Sequence, residues 1–171
     1  MSSTPEVWLR GPVDGIVPLL QPAAHALIQV GEDVTAAVVG ISHQQLWARP
    51  GGAAAIGYHL LHVPGSIDRL LTYSRGAQLT AEQLGMLAAE RSAYTDVPTL
   101  DVLLPRFSAT IDGAVDYLRS LPESELLVAR EVGRQRLPST TLGLVFHAAE
   151  HAARHAGQIV TLRAVVSAGQ V

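Results

Sequence analysis

His147-Ala148-Ala149-Glu150-His151-Ala152-Ala153-Arg154-His155 repeats a histidine at every fourth residue inside the run TLGLVFHAAEHAARHAGQIVTLRAVVSAG (141–169). Alanine is the strongest helix former, and in a helix a step of four advances only about 40° around the axis. The run therefore predicts a long helix from about Ser139 to Val166, capped by Ser139 or Thr140, with the three histidines on neighbouring parts of one face. Adjacent members lie about 6 Å apart along the axis and can share an ion. His147 and His155 lie about 12 Å apart, too far for both to reach a metal at about 2 Å.

Working outward, the rest of the chain supplies partners for such a helix. The segment TLDVLLPRFSATIDGAVDYLRSLP (99–122) places Leu100, Leu103, Leu104, Phe107, Ile111, Val115 and Leu118 at helical spacing, and Pro122 closes it. AAAIGYHLLHVPGSIDRLLTYSRG (53–76) reads as a helix from about Ala53 to Ser74, with a kink near His62 expected from Pro64-Gly65. VDGIVPLLQPAAHALIQVGEDVTAAVV (13–39) is the first helix. Asp14 is its expected cap, unless Pro22 forces a kink or a start nearer position 20. LTAEQLGMLAAERSAY (79–94) fits a shorter accessory helix opened by Thr80. GISHQQLWARPGG (40–52) reads as a connection. ESELLVAREVGRQRLPST (123–140) reads as a surface crossover carrying Arg130, Arg134 and Arg136. Four long helices with small connectors imply an all-α bundle, and the 171 residues fit a single domain, 1–171.

Composition removes several chemistries. There is no cysteine, which excludes disulfides, thiolate ligands and cysteine nucleophiles and favours a cytoplasmic location. All 12 basic residues are arginine, so no lysine is present for a Schiff base or a phosphate-binding loop. A formal charge of −3, without a basic patch or interleaved aromatics, predicts no nucleic-acid partner. No signal peptide and no membrane span are expected from the apolar pattern. With aromatics at 5%, the core must be built from Ala, Leu and Val, and Trp8 and Trp47 are expected to pack as single anchors against it. HExxH and GxSxG are both absent, which disfavours a zincin and a serine hydrolase.

A lone histidine on a helix has an ordinary role in packing or at the surface. Five of the seven on two helices, His59 and His62 with His147, His151 and His155, change that balance. His151 and His155 with one histidine of the second long helix make a three-imidazole metal set, and spacing leaves His59 against His62 open. Three neutral imidazoles preserve the charge of a divalent ion, Zn or Ni being the expected choices, and leave positions for a ligand. His147 and whichever of the two is not a ligand fall to supporting or surface roles, and His25 and His43 are read as nonligands. Glu150 and Arg154 read as an i,i+4 ion pair turned away from the histidines. Gln158, one turn beyond His155, either orients that ring or makes an interhelical hydrogen bond.

IGYHLLHVPGSIDRLL (56–71) together with HAAEHAARHAGQI (147–159) resembles the DinB/YfiT-like family of metal-binding four-helix proteins, over nearly the whole chain. The resemblance implies His62, His151 and His155 as the metal triad, with His62 preferred as the last histidine of its H-L-L-H stretch. It also implies an up-down-down-up bundle with a long connection between the second and third main helices, and a homodimer. Its characterised members look like transferases or isomerases dependent on mycothiol, bacillithiol or glutathione. The function expected from it is a metal-dependent thiol S-transferase acting on a small electrophilic substrate. Arg130, Arg134 and Arg136, solvated by default, are the candidates to bind an acidic thiol cofactor if the crossover folds over the metal. A noncatalytic metal-binding or stress-associated bundle and a metal-dependent hydrolase are the alternatives, so whether the protein is an enzyme is left open.

Overall fold

A stripe of Leu103, Phe107, Ile111, Val115 and Leu118 is buried along the helix Leu100–Ser120, and the helices that cover it make the fold. In chain order the helices are α1 (Gln21–Ala37), α2 (His43–Trp47), α3 (Ile56–Ser74), α4 (Ala81–Ala89), α5 (Leu100–Ser120) and α6 (Thr141–Ser167). Strands β1 (Ala129–Val132) and β2 (Leu137–Thr140) lie between α5 and α6. The computed structural model describes residues 4–169 apart from 93 and 96. α1 packs on α5 and α6, and α3 packs on the same two, so their apolar faces meet in one cluster. Leu, Ile, Val and Ala dominate that cluster, with Phe107 its largest fully buried side chain, as the aromatic-poor composition requires. Ala148, Ala149, Ala152 and Ala156 line the inner face of α6 and let its neighbours approach closely.

Contacts between helix ends show how the long helices run. Arg163 Nε donates to the Ala37 carbonyl at 3.0 Å, joining the last turns of α1 and α6. Ser74 Oγ donates to Tyr117 Oη at 2.9 Å, joining the last turns of α3 and α5. Between α3 and α6 the order is reversed: His59 meets His155, and His62 meets His151.

Local chemistry explains most boundaries. Thr140 caps α6 by accepting from the Gly143 amide at 3.0 Å. Thr80 and Gln83 form a reciprocal capping box at the start of α4. α1 starts at Gln21 with Pro22 in its first turn, and Asp14 is not its cap; Pro18–Leu20 form a single 3-10 turn ahead of it. Pro22 costs nothing there because a first-turn amide has no helical partner to lose. α3 starts at Ile56, since Gly51 and Gly52 take φ of +60° and +81° in the preceding turn and Ala55 is extended. It continues through Pro64.

Three further expectations are corrected. The connection 40–52 contains α2, whose capping box pairs Ser42 with Gln45. The crossover 123–140 contains an antiparallel hairpin that pairs Ala129 with Thr140 and Val132 with Leu137 around a turn opened by Gly133. Trp8 is 62% exposed, its indole N–H donating to Glu6 at 2.6 Å, and does not pack into the core. Trp47 does pack there, with its N–H on the Pro98 carbonyl at 2.9 Å. Among the described residues, no helix is long and apolar enough to cross a membrane.

Candidate metal centre

His62 stands on the second turn of α3, and His151 and His155 stand one turn apart on α6. The opposed course of the two helices carries all three rings to one point. His151 Nε2 lies 3.1 Å from His62 Nε2 and 3.1 Å from His155 Nε2. Two donors at about 2.0–2.1 Å from one zinc-sized ion stand roughly this far apart. Each of the three rings offers a nitrogen within 4.8 Å of the others, a set capable of coordinating a metal ion. His59 is not in that set. Its Nδ1 meets His155 Nδ1 at 2.9 Å, so it touches the outer edge of a triad member. His147 lies at 3.4 Å from Glu150, also outside the set, so the adjacent pair that converges is His151 with His155.

The outer nitrogens decide which way each ring presents its lone pair. Glu90 accepts from His62 Nδ1–H at 2.8 Å, which leaves His62 Nε2 bare toward the centre. Burial raises the pKa of Glu90, but hydrogen bonds from His62 and Arg69 outweigh it and hold the carboxyl below its ordinary value. Burial lowers the pKa of His59 to about 4, with help from His155 and His62, so His59 is neutral, and one proton is shared between its Nδ1 and His155 Nδ1 at 2.9 Å. With that proton on His155, its Nε2 is bare as well. Burial, then the neighbouring His155, His62, Arg154 and His147, lowers His151 to about 4. Burial and His62 lower His155, and Gln158 beside the ring opposes them, which fits the ring-orienting one of its two readings. Unprotonated imidazoles are what a metal requires.

Arg154 is the exception to this outer layer. It pairs with Glu150 at 2.6 Å as its spacing predicts, yet it also reaches His151 Nδ1 at 3.3 Å and so is not turned away from the site. A guanidinium only donates, so His151 Nδ1 accepts there and the ring's proton sits on Nε2. To hold an ion through Nε2, His151 would carry its proton on Nδ1 instead, and Arg154 would keep only its pair with Glu150.

The crossover arginines are not gathered at the histidines. Arg130 Nε donates to the Ser74 carbonyl at 2.6 Å, at the far end of α3, about 18 Å along the helix from His62. Arg136 pairs with Glu131 at 3.1 Å inside the hairpin, and Arg134 is exposed in its turn. His25 meets the Gly11 carbonyl at 3.0 Å, and His43 opens α2. Spacing missed Glu90, Arg69 and the ring stack of Tyr58 on His62, at 5.6 Å and 6°. Glu90 lies 28 residues from His62, and no periodicity links an accessory segment to a ring on another helix.

A helical fold with an inward-facing three-histidine cluster defines a class of metal-binding helical proteins. A family model, the DinB superfamily, matches residues 26–159. The chain belongs to the DinB superfamily. A search of curated proteins finds no match.

Proposed function

We propose that the protein is a metal-dependent enzyme, a low-molecular-weight thiol S-transferase acting on small electrophiles, with His62, His151 and His155 as the ligands of one divalent ion, Zn or Ni. The convergence of three imidazole nitrogens from two helices carries the reading. A bound ion supplies a Lewis acid that favours the anionic form of a sulfur or oxygen it contacts. The transfer forms a carbon–sulfur bond, breaks the bond to the leaving group, and releases the thiol proton to solvent.

Beside the triad, a cavity of ≈ 570 Å³ is lined by Ala53, Ala54, His59, Arg154, Gln158 and Leu162 among others. Its apolar floor suits an organic electrophile. Its nearest cation, Arg154, takes the cofactor-binding role expected of Arg130, Arg134 and Arg136, because Arg130 is committed to the far end of α3 and Arg136 to Glu131. Hydrolysis ranks lower, since a carboxylate base is wanted and both nearby candidates are engaged: Glu90 by His62 and Arg69, Glu150 by Arg154.

The contacts between helix ends support one domain, 1–171, arranged as an up-down-down-up four-helix bundle of α1, α3, α5 and α6 with α4 as its accessory helix. The reading extends to a cytoplasmic homodimer, which sedimentation tests. The activity is tested by turnover of glutathione, mycothiol and bacillithiol with an alkylating electrophile. Zinc- or nickel-loaded protein turns over at least one thiol, and chelated protein loses that rate. No turnover with any thiol favours the noncatalytic metal-binding bundle.

A further inference from the structure

Two turns of α3 separate His62 from Arg69, so both side chains leave the same face, and the end of α4 inserts Glu90 between them. Glu90 is only 6% exposed. Its Oε2 accepts from His62 Nδ1–H at 2.8 Å, and its Oε1 accepts from Arg69 Nη1 at 2.6 Å. Space for the pair comes from Gly65, which sits between the two on that face. A Cβ there would stand 2.5 Å from Glu90 Oε1 and 2.8 Å from Arg69 Nη1. Burying an ion pair is a poor route to stability, because desolvation offsets its attraction and apolar side chains serve as well. An apolar pair, however, would leave His62 free to choose its tautomer and rotate.

We propose that Glu90 is the positioning residue of the metal centre, fixing His62 as the Nδ1–H tautomer so that its Nε2 lone pair faces His151 and His155, and that Arg69 balances its charge. The inference rests on the triad being the metal site. With Arg69 beside it, the carboxylate orients the imidazole without delivering net negative charge to the ion, whose attraction for a ligand is preserved. Tyr58 stacks on the ring at 5.6 Å and restrains its rotation, so His62 is held by its edge and by its face. α4 thereby belongs to the metal centre although it contributes no ligand.

Glu90→Gln tests the assignment, because the amide keeps the shape while its N–H₂ facing His62 Nδ1 favours the opposite tautomer. Zinc affinity, measured by competition with a chromophoric chelator, falls about 10–100-fold with one site retained. In the metal-free protein, ¹⁵N shifts of His62 change from the Nδ1–H to the Nε2–H pattern. The double variant Glu90→Leu/Arg69→Met, which leaves no unpaired buried cation and no acceptor for His62 Nδ1–H, loses affinity to the same order if the single variant folds poorly. Unchanged affinity and tautomer overturn the inference and leave the metal reading standing, even if the melting temperature falls, since a purely structural ion pair behaves that way. A parent chain that binds no zinc overturns both.

Discussion

Protonation ties the histidine cluster to pH at the level of single residues. His59 and His151 titrate at about 4 in the fold and near 6.5 in the unfolded chain, so between these values the unfolded state binds more protons. Metal-free protein is therefore expected to lose stability as pH falls from about 6.5 toward 4 and to hold level above that window. Urea midpoints measured at pH 8.5, 7.5, 6 and 5 check this, level between 8.5 and 7.5 and falling at 6 and 5, with the fall reduced in His59→Ala. The spacing of His147, His151 and His155 was enough to show that the outer two cannot share one ion, but it left the two adjacent pairs equivalent. It could not distinguish His59 from His62, because both leave α3 within one turn and only the packing of that helix against α6 determines which ring faces inward.

Elements with strong periodicity were the readable ones. The apolar stripe of α5 and the Ala-rich run of α6 survive in the fold with boundaries near those expected, since burial and capping act on the same residues. α2 was hidden because five residues are too short for a period, although Ser42 and Gln45 carry a capping-box spacing. The hairpin was hidden because four-residue strands rich in charge, with Pro138 in one of them, show no alternation strong enough to stand out. α2 matters to the site through Trp47, whose ring lies against Gly57 on the first turn of α3. A Cβ at Gly57 would meet that ring at 2.7 Å. Gly57→Ala is expected to destabilise the protein by about 1–3 kcal/mol, the usual cost of overpacking, measured by urea unfolding of the metal-free chain. Because the displaced turn also carries His59 and leads to His62, zinc affinity falls in the same variant.

At the scale of the whole molecule, the helical fold brings together histidines that lie some ninety residues apart in sequence, 89 between His62 and His151. Composition and periodicity announced a helical protein with an Ala, Leu and Val core. The order of up and down helices came only from family resemblance, whereas the antiparallel meeting of α3 and α6 is visible in the histidine contacts themselves. The polar layer behind the rings, Glu90 with Arg69 and the reach of Arg154, was illegible because it depends on how an accessory segment and an exposed helix face close over the site. An ion bound only by the folded state stabilises it by mass action, about 2.7 kcal/mol at a concentration one hundred times its dissociation constant. The most direct measurement is elemental analysis of the purified full-length chain alongside its His151→Ala variant, paired with melting curves with and without added zinc. One equivalent of a divalent transition metal on the parent, lost in the variant together with the zinc-dependent rise in melting temperature, is the predicted result. A parent chain that takes up no ion and melts at the same temperature with or without zinc, or a variant that keeps a full equivalent, contradicts the account.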